Sequence, residues 1–113
     1  MKLPHAEKAV IDIAKLRDYL LSSSHPVGRF KAAFFQSLGY TVTRRGDLEA
    51  AFRELAAAGE AELDEATEHG QKYRVAGLIS GPEGRTACVV TVWIVLHGQE
   101  EPRFVTAFPG ESK

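Results

Sequence analysis

The run His25-Pro26-Val27-Gly28-Arg29-Phe30-Lys31 carries the most chemistry in this chain. His25 is the side chain type whose ordinary pKa lies nearest neutral pH, so it can both take and give a proton. Pro26 favours the first position of a helix, because it lacks the N–H that would be unpaired there anyway. The free N–H groups of such a helix start attract phosphate. Arg29 follows His25 by four residues and so shares its side of the helix, with Lys31 just beyond. Metal-independent cleavage of a phosphodiester needs a base for the 2′-hydroxyl, an acid for the leaving oxygen and cations on the phosphate. His25 is the candidate acid/base, and Lys31 completes a catalytic set with Thr106, whose hydroxyl can donate to a phosphate oxygen. Arg29 and Arg103 are candidate phosphate binders, and Tyr73 and Trp93 are candidate base-stacking rings.

Each of these has a plainer reading. His25 then caps a helix, Arg29 and Lys31 form a solvated flank, and Thr106 reflects β-propensity. Tyr73 and Trp93 would be half-buried sheet residues. Lys72 and Arg74 share a strand face and have the acidic segment 60–68 as an obvious ionic partner, which Arg103 lacks. Cys88 alternates with valines and an isoleucine and reads as a small buried hydrophobe. His69 reads as a turn residue, and His5 and His97 carry no signal. Four scattered histidines and one cysteine give no metal-ligand spacing, so neither a metal nor another cofactor is expected.

The elements that must hold these side chains divide the chain in two. Asp12 is placed to cap a first helix with Ile13, Leu16, Tyr19 and Leu20 at helical spacing. The second helix starts at Pro26, turns Val27, Phe30, Phe34 and Leu38 inward and stops at Gly39. Asp47 caps a third, with Leu48, Ala51, Phe52 and Leu55 inward and Gly59 at its end. Residues 60–66 read as an exposed acidic edge strand. A second strand turns Tyr73, Val75 and Ile79 to one face. After the turn Gly81-Pro82-Glu83-Gly84, a third strand is apolar on both faces. Its even face (Cys88, Val90, Val92, Ile94, Leu96) is expected against the helices, together with Tyr73, Val75 and Ile79. That leaves Lys72, Arg74, Thr91 and Trp93 on an open face. A last strand runs over Arg103–Phe108. Arg103 joins the open face if Phe104 and Phe108 point inward, Thr106 if they do not, and alternation leaves both registers open. The expected architecture is α+β, with N-terminal helices on one face of a four-stranded antiparallel meander. It is one domain over 1–113, with helices within 12–59 and strands within 60–108.

Composition excludes several classes. At 113 residues, 44% hydrophobic and 26% charged, the chain is neither disordered nor collagen-like, and no apolar run approaches a membrane span. A charged start and a single cysteine fit a reducing cytoplasm. The net charge of −1 hides a partition: +5 over residues 1–46, −7 over 47–70 and +1 over 71–113. An anionic substrate would therefore meet a local basic surface rather than a basic protein.

Several segments occur together in one order: LP-x-A-x-KAV at Leu3–Val10, KL-x-x-YLL at Lys15–Leu21, HPVGR-x-KA at His25–Ala32 and HGQKY-x-V at His69–Val75. GPEGR at Gly81–Arg85, TVWI at Thr91–Ile94 and PRFVTAFP at Pro102–Pro109 follow. Together they resemble a small bacterial family, domain of unknown function 6883. The match is most specific at HP-x-GR-x-KA and PR-x-VTA-[YF]-P. Positions 41–66 match only in length and helix content and carry no transferred role. Family members look like small effector domains of bacterial and phage proteins. Helices followed by a meander ending in a V-T-A strand is similar to the barnase–EndoU–colicin–RelE ribonuclease superfamily. The resemblance implies a toxin-like ribonuclease acting on RNA and held in check by a small neutralising (antitoxin or immunity) protein. The alternative is a non-catalytic interaction module that docks a partner on the open sheet face.

Overall fold

The computed structural model describes residues 1–16 and 29–110, and at Ile13, Arg29, Phe30 and Val42 the backbone alone. The expectations for His25, Pro26, Val27, Tyr19 and Leu20 lie outside the described residues. Four strands follow the helices: β1 (Glu60–Ala66), β2 (Gly70–Ser80), β3 (Thr86–Leu96) and β4 (Arg103–Pro109). They pair antiparallel in the order β1-β2-β3-β4, the expected meander. The turns fall where Gly and Pro punctuate the sequence, within a residue or two of the expected limits.

The faces of β3 are the reverse of the expectation. The β2–β3 ladder runs unbroken from Gly70 opposite Leu96 to Ser80 opposite Thr86, so odd-numbered residues meet odd-numbered ones. Tyr73 is opposite Trp93, Val75 opposite Thr91 and Ile79 opposite Ala87. Once Val75 and Ile79 face the helices, Val89, Thr91 and Trp93 must do so too, and all three are fully buried. Cys88, Val90 and Ile94 are half-buried on the outer face, where Val92 also lies, itself buried. Alternation could not choose, because both faces of β3 are apolar and only pairing with β2 distinguishes them. Thr91 is tolerated inside because its hydroxyl is used twice. It donates to Val75 O at 2.9 Å and accepts from Trp93 Nε1 at 2.8 Å.

The helices are α1 (Ile13–Lys15), α2 (Arg29–Ser37) and α3 (Arg45–Ala58). Asp12 caps α1 as expected, its Oδ1 accepting from Ala14 N at 2.9 Å. Helix α2 ends in a Schellman motif: Tyr40 N donates to Phe35 O at 3.1 Å and Gly39 N to Gln36 O at 2.9 Å. Gly39 holds the left-handed conformation this closure needs, at φ 97°. Tyr40 then packs back into the core, and Arg85 Nη1 reaches Ser37 O at the negative end of the helix, 3.2 Å away. The buried stripe of α2 is Ala32, Phe35 and Leu38, with Phe34 half-buried beside it, so the stripe is turned one residue from the expected Phe34.

Helix α3 begins two residues before Asp47, after a 3-10 turn at Val42–Arg44. Asp47 is thus not the cap but an acid in the first turn, where the helix dipole favours it. Leu48, Phe52, Leu55 and Ala56 are buried, and Gly59 ends the helix. Phe52 lies edge-on to Phe35 (centroids 5.9 Å) and stacked on Phe104 (5.1 Å), which in turn meets Trp93 edge-on at 5.5 Å. This aromatic chain joins both long helices to the sheet.

Candidate functional site

Strand β4 carries one residue more than its partner. Val92 is opposite Thr106, but Trp93 is opposite Phe104, so Val105 is an extra residue in a β-bulge. In a regular strand Arg103 and Thr106 would point to opposite faces. The bulge puts both on the outer face, with Phe104 buried inward. The two registers left open in the sequence are therefore each right over half the strand. Arg103 is opposite Ile94 and Thr106 opposite Val92, about 7 Å apart along the strand.

Lys31 meets Thr106 here. Its Nζ donates to Thr106 Oγ1 at 2.7 Å, across 75 positions of sequence. Helix α2 supplies the lysine because its buried residues, Ala32 and Phe35, seat it against the core and leave Lys31 half-buried at the side. A lysine ammonium fixed by a strand hydroxyl presents two adjacent hydrogen-bond donors to an oxyanion.

Arg103 is placed by the amino-terminal segment. Val10 N donates to Pro102 O and Phe104 N to Val10 O, both at 2.9 Å, a parallel bridge along the start of β4. The bridge brings α1 to the bulge, where Lys15 Nζ donates to Val105 O at 3.1 Å. Val10, Asp12, Lys15, Ile94 and Arg103 then line a cavity of about 230 Å³. Arg103 has polar neighbours that the sequence did not suggest: its Nε donates to Gln99 Oε1 at 3.2 Å, and Nη2 lies 3.9 Å from Glu101. Lys15 was missed as well. Its one sequence signal is that it follows the Asp12 cap by three residues, and only the Val10 bridge gives that spacing a position.

The remaining candidates separate. Trp93 has no exposed surface, so its ring cannot stack on a base; its size and its hydrogen bond to Thr91 place it in the core. Tyr73, opposite Trp93, is half-buried on the same inner face. His25 and the side chain of Arg29 lie outside the described residues. Lys72 pairs with Glu65 at 3.8 Å, and Arg74 with Glu62 at 3.5 Å and Asp64 at 4.0 Å, the expected neutralisation by the acidic strand. Cys88 is half-buried on the outer face rather than in the core. Among the described residues, no three His, Cys, Asp or Glu side chains gather as metal ligands, and no helix is long and apolar enough to cross a membrane.

The model of a family described as a domain of unknown function (DUF6883) matches residues 2–111. The chain belongs to that family. No curated protein matches this DUF6883 chain. Among solved structures it is similar to a chain of a contact-dependent growth inhibition toxin–immunity protein complex from Klebsiella pneumoniae 342. The TM-score is 0.69 at 17% identity, covering 95% of this chain and 97% of that one. At that identity the likeness is one of fold.

Proposed function

We propose that this DUF6883 domain is a toxin-like effector that cleaves RNA by metal-independent acid/base chemistry. The observation that carries the reading is the Lys31–Thr106 contact of 2.7 Å on the outer sheet face. The bulge sets Arg103 on that same face, and no local helical or hairpin constraint requires Lys31 to be there. In this reading His25 takes the proton of the 2′-hydroxyl, whose oxygen attacks phosphorus as the bond to the 5′-oxygen breaks. The proton passes to that leaving oxygen. Lys31 and Thr106 donate to the charged phosphoryl oxygens, and Arg29 and Arg103 hold the phosphate. The similar chain belongs to a complex containing a toxin and its immunity protein. That supports a small neutralising partner for this domain as well; a single cysteine fits action in a reducing cytoplasm.

The test is expression in a bacterial host without any partner gene. Growth should arrest and cellular RNA should fragment, with purified protein cleaving RNA in the presence of EDTA. Lys31→Ala and Thr106→Val should lower cleavage by about 10²–10³-fold, the usual cost of losing an oxyanion donor. Robust growth with abundant folded wild-type protein and intact RNA would overturn the reading. A second reading is favoured by the outer face itself, where Val90, Ile94 and the exposed Leu78 form an apolar surface suited to docking a protein without chemistry. Intact RNA together with stable capture of a purified partner would select it.

A further inference from the structure

Strand β2 extends past its neighbour. β1 pairs with it only as far as Glu60 opposite Ala76, so residues 77–80 have β3 on one side and no strand on the other among the described residues. His97 N donates to His69 O at 3.0 Å, which sets the phase of the ladder. Odd-numbered residues of β2 bond to β3, and even-numbered ones turn N–H and C=O the other way. Gly70 O, accepting from Thr67 N, and Ser80 O, accepting from the Tyr40 hydroxyl, both obey that phase at 2.8 Å. Leu78 therefore offers an N–H and a C=O, and Ser80 an N–H, at a bare edge. Natural edges are usually blunted by lysine, proline or a bulge. This one has Leu78, with 68% of its surface exposed.

Beside the edge, on the helix-bearing face, Ala51, Leu55, Ala58, Gly77 and Ile79 line an open cavity of about 460 Å³. Gly77 lets Leu55 pack directly on the strand at its wall, since a Cβ there would lie 2.6 Å from Leu55 Cδ1. Glu54 stands on the rim and, with Asp47 two turns earlier on α3, also lines an adjoining cavity of about 300 Å³ that reaches Ser80. Neither acid has a cationic partner among the described residues. Their field is felt nearby: burial first, then Asp47 and Glu54, raise the Tyr40 hydroxyl above its ordinary 10.0.

We propose that an extended, basic segment of a partner protein adds to the sheet along residues 77–80, antiparallel to β2. One apolar side chain fills the cavity beside Ala51, Leu55 and Ile79, and Lys or Arg residues on the same face of the added strand meet Glu54 and Asp47. Main-chain hydrogen bonds give the affinity of such strand addition, and side chains on one face give the specificity. The site lies on the opposite sheet face and toward the opposite edge from Lys31 and Thr106, and it does not depend on the catalytic reading.

The probe is acetyl-Thr-Lys-Thr-Val-Thr-Lys-Thr-amide, titrated into the ¹⁵N-labelled full chain at low ionic strength beside its counterpart with glutamate for lysine. The lysine peptide should shift the amides of residues 77–80, slow hydrogen exchange at Leu78 at least tenfold and bind at least tenfold more tightly than the glutamate peptide. Glu54→Lys, at an exposed helix position, should weaken binding at least tenfold without changing the melting temperature. Leu78→Pro should abolish binding by removing an N–H that no strand among the described residues uses, a change edge positions tolerate. If that variant does not fold, Glu54→Lys decides alone. Equal binding of the two peptides, no binding at all, shifts confined to β4 or the outer face, or unimpaired binding by Glu54→Lys would each overturn the proposal. A homodimer whose interface maps to residues 77–80 would overturn it too, assigning the edge to a second copy of this chain.

Discussion

Thr91 shows how a single polar residue settles the interior of the sheet. Its hydroxyl accepts the Trp93 indole N–H and donates to Val75 O, so a large ring with a polar atom can be wholly enclosed. Thr91→Val keeps the shape but strips the indole of its acceptor, and a buried donor left unpaired costs about 1–3 kcal/mol. Urea unfolding should show that loss; an unchanged midpoint would mean that the indole finds another acceptor. Lys31 and Thr106 illustrate the opposite situation, a polar contact at the half-buried flank of the core that the packing does not require. It is there that a functional reading has most to explain.

At the scale of elements, the register of β3 and the bulge of β4 matter most. With odd residues inward, Val89→Ala should cost on the order of 2 kcal/mol. Val90→Ala, on the half-buried outer face, should cost less than half as much. Denaturant melts of the two variants read the faces directly, and the reverse order would restore the assignment that alternation suggested. The bulge at Val105 is a device of the same kind: one extra residue re-aims Arg103 without disturbing Phe104 in the core. Helix limits were more legible than strand faces. The Asp12 cap and the Gly39 stop were both visible in sequence, because caps and stops act through neighbours a few positions away. Asp47 was misread as a cap because an acid suits the first turn of a helix as well as its cap.

Across the whole molecule, charge is partitioned more usefully than a net −1 implies. Acidic β1 neutralises Lys72 and Arg74 of β2, pairs exposed enough to add little stability. At the other edge of the sheet Lys15, Lys31 and Arg103 gather around β4. If that edge holds an anion, phosphate should raise the melting temperature by mass action at low ionic strength. The gain should fade with added salt and be absent in Arg103→Gln. Equal shifts in parent and variant with phosphate, sulfate and chloride at matched ionic strength would reduce Arg103 to a surface charge held by Glu101.

The order of elements, their turns, the antiparallel meander and the pairing of Lys72 and Arg74 with acids all followed from sequence alone. Each rests on interactions between residues close in the chain or on a hairpin connection too short to allow another partner. Which face of β3 turns inward, the burial of Trp93 and the meeting of Lys31 with Thr106 did not. The first two depend on how β3 aligns with β2, and alternation is silent when a strand is apolar on both sides. The third depends on α2 lying along the flank of β4, and the placement of Lys15 on Val10 pairing with the start of that strand, about ninety residues away. Contacts at such separations are set by the collective packing of the core, which no short window of sequence contains.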